Sequence, residues 1–557
     1  MKKRFAAALL SAAMLLSLAA GCGPSGDSSS AAPSGGSGDS SAGSETANFN
    51  KTGFPIVNEP ITLRFAAPLD ENYQNGYSDM KMFKEYEEES GIHIEWEEIN
   101  GEAWADKVQL MITSNTNLPD AFYGGTIPNS VVLKYGQQGM IVELTDLLKE
   151  YAPNATKWLE ARDDLRKQIV YSDGKIYSLP KVDEALGTRI PSLMIVNQTW
   201  LDRVGLEAPT NVDEFYNMLK TFKEKDANGN GVKGDEICLS ARQFSSANVV
   251  NGSNSIGNFF GFFGVADDNS HINIVDDKVI FVPTTEEYRE GLEFFNKLYT
   301  EGLFDGETFT QNDNQFWAKS RSEEGIGMTA AFSWLELNNG ETEKNNYVII
   351  DAFEDQVVAK PGLVTGVTAN CFTIMSNNKY PEATIRWVDT FLDAGERAVS
   401  ARFGEENISW KWQNDEKTAW TEMAETPDGE AVNTALIGRY SPVGNSVYWN
   451  LGGDGMAALK QNTVQQFIDR GNANNNVYIN HAVQTWPSSL SFDEDKMATF
   501  TDIDTELRKY TDNMLSTFIL QGIDDNSWNA YVEQCKTLGS ETLVQMYQER
   551  WDEYLAL

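Results

Sequence analysis

The sequence predicts an α/β protein built from at least two lobes. From about residue 58 onward, short strand-like runs alternate with longer helix-like ones, which is the pattern of a sheet with crossover helices. About 500 residues follow the leader, too many for one such sheet. No convincing internal repeat divides them.

Lys2, Lys3 and Arg4 precede an apolar run from Phe5 to Ala20, too short for a comfortable membrane span and typical of a secretory signal. The run ends in SLAAGC, which resembles the bacterial lipobox. Residues 1–21 would then be the signal, and Cys22 the lipidated residue that becomes the mature N-terminus. Lipoboxes usually carry leucine where this chain has Ala19; here the leucine is Leu18. The other reading is a plain cleaved signal, with Cys22 an ordinary thiol. Residues 22–57 are expected to be a disordered Gly/Ser tether, because GPSGDSSSAAPSGGSGDSSAGSETANFN has no apolar periodicity. About 28 such residues span roughly 30 Å as a random coil, which would hold a globular body just off a membrane surface. No later segment carries about 18 uninterrupted apolar residues, so no transmembrane helix is expected.

ITLRFAAP and HIEWEEIN read as strands, with SDMKMFKEYEEESG between them as a helix. WADKVQLMITSNTN is helical, and PDAFYGG is a strand ending in glycines. Ligands of α/β sheets bind at loops beyond the strands' carboxyl ends, and Tyr123, Gly124, Gly125 and Thr126 occupy such a loop. Farther on, PTNVDEFYNMLKTFKEKD reads as a helix. Asn211 is its N-cap, Glu214 stands three residues on as in a capping box, and Phe215, Met218, Leu219 and Phe222 form one apolar stripe.

That helix leads into DANGNGVKGDEI. Calcium takes oxygen ligands at alternate positions of a loop with glycine at its sixth position. Asp226, Asn228 and Asn230 fall at the first, third and fifth positions, Gly231 at the sixth, and the Val232 carbonyl at the seventh. The twelfth position, where a bidentate glutamate belongs, is Ile237; Asp235 and Glu236 are the carboxylates at hand. The spacing fits a calcium loop with an off-register second half, and it also fits a metal-free run of turn formers. ICLSARQFSSANVVNGSNS downstream has no helical period, so the paired helices a calcium sensor needs are missing. Bound calcium would pin a loop.

The formal net charge of −38 disfavours nucleic acid and anionic lipid as partners. Cys238, Cys371 and Cys535 are an odd number after Cys22 and imply no disulfide framework. Enzyme signatures are weak. His93, His271 and His481 are isolated, HIEWEE lacks the second histidine of a zinc-protease helix, and neither a G-x-S-x-G elbow nor a P-loop occurs. Among 82 acidic residues nothing marks out one pair for glycoside hydrolysis.

KVQLMITSNTNLPDAFY, GMIVELTDLLKEYAPN, SDGKIYSLP, IVNQTWLDRVGLEAPTNVDEFYNMLKTFK and YREGLEFFNKLYTEGLFD resemble extracellular solute-binding lipoproteins of bacterial ABC importers. The likeness is to the large oligosaccharide-binding branch of Gram-positive bacteria. It continues through NNKYPEATIRWVDTFLD to SWNAYVEQCKTLGSETLVQMYQERWDEY. It implies a two-lobed periplasmic-binding-protein-like fold of type II, the lobes joined by crossing hinge strands, with ligand gripped between them. The segments expected are 58–185 and 363–430 for the N-lobe, and 186–362 and 431–557 for the C-lobe, the last largely helical. The resemblance also implies a structural calcium site at Asp226, Asn228, Asn230, the Val232 carbonyl, Asp235 and Glu236, with Gly234 an extra residue that puts Asp235 and Glu236 in doubt.

A sugar site needs aromatic platforms beside amides, carboxylates or arginine. Trp334 stands where a strand ends, a place at which solute-binding relatives stack ligand. Trp449, beside Tyr448, and also Trp410, Trp412, Trp486 and Trp317 are further aromatic candidates, each with a core reading beside it. From the opposite lobe Asp70, Glu71 and Tyr73 follow the first strand, beside Tyr123. Phe259, Phe260, Phe262 and Phe263 of GNFFGFFG read as a buried turn. The expected protein is a monomeric receptor, lipid-anchored on the extracellular face of the membrane, that hands a neutral oligosaccharide to ABC permease subunits. A surface glycan-degrading enzyme and a peptide or other non-sugar binder on the same fold are the alternatives.

Overall fold

The computed structural model describes residues 48–557, apart from 70–74, 184–189, 243–255, 269, 339–344, 361–365, 394, 424, 431, 433, 451–471, 474–475, 488–489, 491 and 493. The signal, Cys22, most of the tether, Asp70, Glu71 and Tyr73 lie outside the described residues. Residues 48–557 form one compact unit.

The chain first builds β1 (Ile61–Leu69), β2 (Ile92–Asn100), β3 (Ala121–Tyr123) and β4 (Leu179–Asp183). β1 runs parallel to both β2 and β3, as its crossover helices require. The first of these helices, Lys81–Ser90, stops at Gly91, whose φ of 78° glycine adopts without strain; the next, Trp104–Ser114, stops at Asn115 in the same left-handed region, which asparagine tolerates. Beyond Asp183 the chain enters a second body with β5 (Leu193–Asn197), β6 (Ile272–Val275), β7 (Lys278–Phe281), β8 (Met328–Ala331), β9 (Tyr347–Ile349) and β10 (Val358–Lys360). It returns with β11 (Val367–Ile374), the hairpin β12 (Trp410–Trp412) and β13 (Trp420–Glu422), and β14 (Trp449–Asn450), then crosses again to β15 (Ala482–Thr485) and three C-terminal helices.

The first lobe's sheet has the order β14-β4-β11-β3-β1-β2. Only β11 is antiparallel to its neighbours, so the carboxyl ends of the other five strands share one edge. The second lobe carries a sheet β8-β5-β9 and another, β10-β15-β6-β7. Each lobe has its own large core. The first is aromatic, with Phe65, Tyr77, Phe83, Tyr123 and Trp387 packed together around the half-buried Trp96. The second gathers the helices Val212–Glu224, Glu286–Thr300 and the C-terminal three. Phe215, Met218, Leu219 and Phe222 all point into it, and Phe259 and Phe260 lie fully buried in a 3₁₀ turn, as their patterning predicts.

Two expected boundaries move. Residues 48–57, assigned to the tether, pack on the first lobe: Phe49 bridges Val57, and Ile56 and Val57 are buried in its core. A Gly/Ser-rich flank hides this short apolar pair. The return to the second lobe comes after Asn450, not near 430, because Val447, Tyr448 and Trp449 fill the first core and β14 pairs with β4.

Candidate functional site

β8 and β9 both run antiparallel to β5, with Leu193 opposite Ala331 and Ile195 opposite Ile349. Their carboxyl ends therefore arrive at the Leu193 end of β5, where the chain has just come from the first lobe. Trp334 opens a short helix three residues past β8, and Asp351 follows two residues past β9. Together with Asn346, Tyr347, Asn472 and Asn476 they line a pocket of about 420 Å³. Asn346, Asp351, Asn472 and Asn476 are exposed and Trp334 is half-buried. Tyr347 is the anchor: its hydroxyl donates to the Ser320 carbonyl at 2.9 Å and accepts from the Ile326 N–H at 3.0 Å. An indole face beside three amides and a carboxylate can stack on a weakly apolar ring face and hydrogen-bond the hydroxyls around it.

The other aromatic candidates sit elsewhere. Tyr123, Trp410 and Trp449 are at most 1 % exposed and lie in the first core. The Trp410 indole N–H donates to the Gly404 carbonyl at 2.8 Å, and that of Trp449 to the Pro180 carbonyl at 2.9 Å. Tyr123 accepts from the Val447 N–H at 3.3 Å, and burial holds its hydroxyl well above the usual phenol range. Trp486 is buried in the second core against Phe492 and Tyr547. Each indole has a backbone partner inside the protein, the arrangement of a packed residue rather than an open platform. Half-buried Trp317 packs near Trp334 on the same small cluster, its ring flanked by the guanidiniums of Arg242 at 5.7 Å and Arg321 at 4.9 Å. Arg242 is itself paired with the Asp313 carboxylate. Of the expected platforms among the described residues, only Trp334 opens onto this pocket. The exposed Asn346, Asp351, Asn472 and Asn476 were not among the candidates. Asp351 could have been found as the polar residue ending the apolar run YVII.

The loop 226–236 folds on its own side chains. The Gly231 N–H donates to the Asp226 carboxylate at 3.1 Å, the Asn230 N–H to Asn228 Oδ1 at 3.1 Å, and the Val232 N–H to Asn230 Oδ1 at 2.8 Å. Asp226 takes a φ of 55°, a conformation that aspartate tolerates. The Asn230 and Asn228 amides donate to Asp235 at 2.9 Å each and hold its carboxyl below the ordinary range. Glu236 is 5 % exposed, and its Oε1 is buried with no hydrogen-bond partner. A buried orphan carboxylate oxygen, with two further carboxylates and two amide oxygens in one eleven-residue turn, is a hard-oxygen donor set that fits calcium. Among the described residues no three His, Cys, Asp or Glu side chains converge as a ready metal cluster. The fit therefore rests on this mixed set.

Residues 70–398 match the family model of the bacterial extracellular solute-binding proteins. The chain is 26% identical over 524 residues to the fructooligosaccharide ABC transporter substrate-binding protein FusA of Streptococcus pneumoniae serotype 4, covering 90% of this chain and 92% of that one. Its fold matches an EF-hand mutant of FusA in complex with fructo-nystose, with a TM-score of 0.72 and 22% identity over 89% of this chain and all of that one. It also matches an HMO-binding, ABC-transporter-associated solute-binding protein from Bifidobacterium longum infantis, with a TM-score of 0.76 and 19% identity over 89% of this chain and 99% of that one. With the two-lobed α/β architecture and the match over more than half its length, the chain belongs to the bacterial extracellular solute-binding protein family.

Proposed function

We propose that the protein is an extracellular receptor, anchored to the membrane through Cys22, that captures a neutral oligosaccharide between its lobes and delivers it to an ABC permease. The observation that carries this reading is the Trp334 pocket at the lobe-facing end of β5, with its exposed amides and Asp351. FusA, similar over nearly the whole chain, is named for fructooligosaccharides and ABC transport, which supports the same ligand class here. Ligand shifts the lobes toward the closed arrangement by preferring it, and the closed arrangement is what a permease would recognise. The acidic chain repels anions, so neutral sugars are favoured over uronic acids. No helix among the described residues is long and apolar enough to cross a membrane.

Calcium belongs to the same reading as a structural ion. Asp226, Asn228, Asn230, the Val232 carbonyl, Asp235 and Glu236 would hold it, and the EF-hand varied in FusA supports the assignment. When bound, the ion would offset two of the three negative charges that the loop's carboxylates carry; the loop's own hydrogen bonds orient them. The test of function is titration of purified protein with nystose and with a panel of neutral and uronic-acid oligosaccharides, followed by calorimetry and product analysis. Saturable heat with unchanged sugar supports a receptor. Turnover supports an enzyme, and silence across the panel with binding of peptides sinks the carbohydrate reading.

A further inference from the structure

The chain leaves the first lobe after Asp183, re-enters it at Gly366 and leaves it again after Asn450, and these three residues meet. Asp183 ends β4, which lies between β14 and β11 in the sheet. Its backbone N–H donates to the Gly366 carbonyl at 3.0 Å. Its carboxylate is spent on β14 and the residue before it: Oδ1 accepts from the Asn450 amide at 2.7 Å and Oδ2 from the Tyr448 hydroxyl at 2.9 Å. The Arg402 Nε, from the helix Glu396–Phe403, approaches Oδ2 at 3.4 Å. Gly366 has a φ of 77°, and a Cβ there would stand 2.1 Å from the Asp183 carbonyl oxygen, so the approach of the two backbones needs glycine. One carboxylate and one peptide group thus bind together all three points at which the chain crosses between lobes.

We propose that Asp183 is the positioning residue of the hinge: by fixing the spacing of the three crossing points it limits the orientations the second lobe can sample, and so sets the population able to grip ligand. This rests on the receptor reading for its consequence, because apparent affinity falls with the fraction of molecules in the competent arrangement. The geometry itself does not depend on which ligand binds. Charge-assisted hydrogen bonds such as those on Asp183 are the stronger kind, and their loss leaves β14 held to β4 by its backbone pairing and by Trp449 alone, with the end at Asn450 free to shift. Asn450 Oδ1 is buried without a hydrogen-bond partner, so that amide is held in place by the bond its nitrogen donates to Asp183.

The test measures lobe separation directly. Cysteines introduced at exposed Leu110 in the first lobe and Val275 in the second accept nitroxide labels in a Cys22→Ala background, since the three remaining cysteines are buried. Asp183→Asn should widen the ligand-free distance distribution and weaken nystose binding roughly tenfold. Adding Asn450→Asp exchanges donor and acceptor across the pair and should narrow the distribution and restore the affinity, a rescue that general destabilisation would not give. Should Asp183→Asn fail to fold, Tyr448→Phe removes one hydroxyl from the same carboxylate and is expected to widen the distribution in the same direction. A distribution identical to that of the parent overturns the proposal, and so does widening without rescue. A protein that binds no sugar yet widens and recovers in this way keeps the hinge assignment and loses only the ligand assignment.

Discussion

The two lobes treat aromatic and polar side chains in opposite ways. The first lobe consumes its tryptophans and tyrosines: Trp410, Trp449 and Tyr123 are walled in, each tied to a main-chain group. The second lobe has a large apolar core too, but it leaves Trp334 at an open pocket, holds an acidic loop on its surface and buries His271 against the Asp267 carboxyl. The first is a frame whose edge fixes the crossing points; the second carries adaptable polar chemistry on that frame. A tryptophan flanked by polar or glycine-rich sequence is therefore not by that alone a ligand platform. Trp334 and Trp449 share such flanks, and packing alone separates them.

The largest effect is expected at Trp449. Trp449→Ala should destabilise the protein by about 3–5 kcal/mol, the cost of emptying a large core site. It should be visible as an earlier urea midpoint, and a change smaller than about 1 kcal/mol would make Trp449 a surface group after all. In the second lobe, calcium added to chelator-treated protein should raise the melting temperature, with a gain of about 2.7 kcal/mol at a hundredfold excess over its dissociation constant. Asp226→Ala should abolish the gain, since no neighbour supplies a charged ligand at that point of the loop. Identical melting curves with and without calcium would leave the loop an ordinary turn, and sugar binding that strictly needs calcium would move the ion into the ligand site.

Trp334→Ala probes the open pocket of the second lobe. It should weaken sugar binding by about 1–3 kcal/mol, a magnitude taken from base stacking on aromatic side chains. The melting temperature should stay near the parent's, because the ring is only half-buried. A large fall in melting temperature with affinity unchanged in the folded fraction would class Trp334 with Trp449.

The smallest effects near neutral pH come from two buried titrating groups, one in each lobe. In the second lobe, burial acts to lower the His271 pKa, but the Asp267 carboxylate at 2.9 Å, helped by Asp512, overcomes this and raises it to about 9. Asp268 is also buried in this cluster, and the Arg508 guanidinium partly opposes the rise. A folded pKa above the unfolded 6.5 means that this stabilisation is complete below pH 6.5 and fades as pH rises through 9. In the first lobe, burial raises Asp389 to about 6, against hydrogen bonds from the Ala155 and Asn154 N–H groups. Its ionised form carries the cost, so stability grows as pH falls from about 6 toward 3.8. Urea midpoints measured across pH should lose the alkaline decline in His271→Gln and the acidic gain in Asp389→Asn. Unchanged profiles in both variants would mean that these groups titrate alike in the folded and unfolded chain.

Much of this was legible in the sequence because local signals agreed with the tertiary answer. The strands β1 to β3, their crossover helices and the stripe from Phe215 to Phe222 follow from periodicity, with Asn211 capping the Glu214 N–H as its position predicts. The Glu214 carboxylate departs from the expected box: it takes the Thr210 N–H rather than that of the cap residue. That Trp334 follows a strand end was legible because a strand end is a local feature. The burial of Trp449 and the hub at Asp183 were not legible, since both depend on β14 pairing with a strand far away in the chain. The packed stretch at 48–57 was missed for a related reason, as two apolar residues give no period to read.

Trp449 and its hydrogen-bond partner Pro180 are 269 residues apart. A chain that emerges amino end first cannot complete the edge of its first sheet until Asn450 is available, long after the strands from β5 to β10 have been made. The intervening body must therefore form, or be held back, while β4 still offers an unpaired edge. Pairings this remote close slowly, and open edges invite association with other chains. A molecule with such a strand order gains when collapse of its first sheet waits until Asn450 has been made.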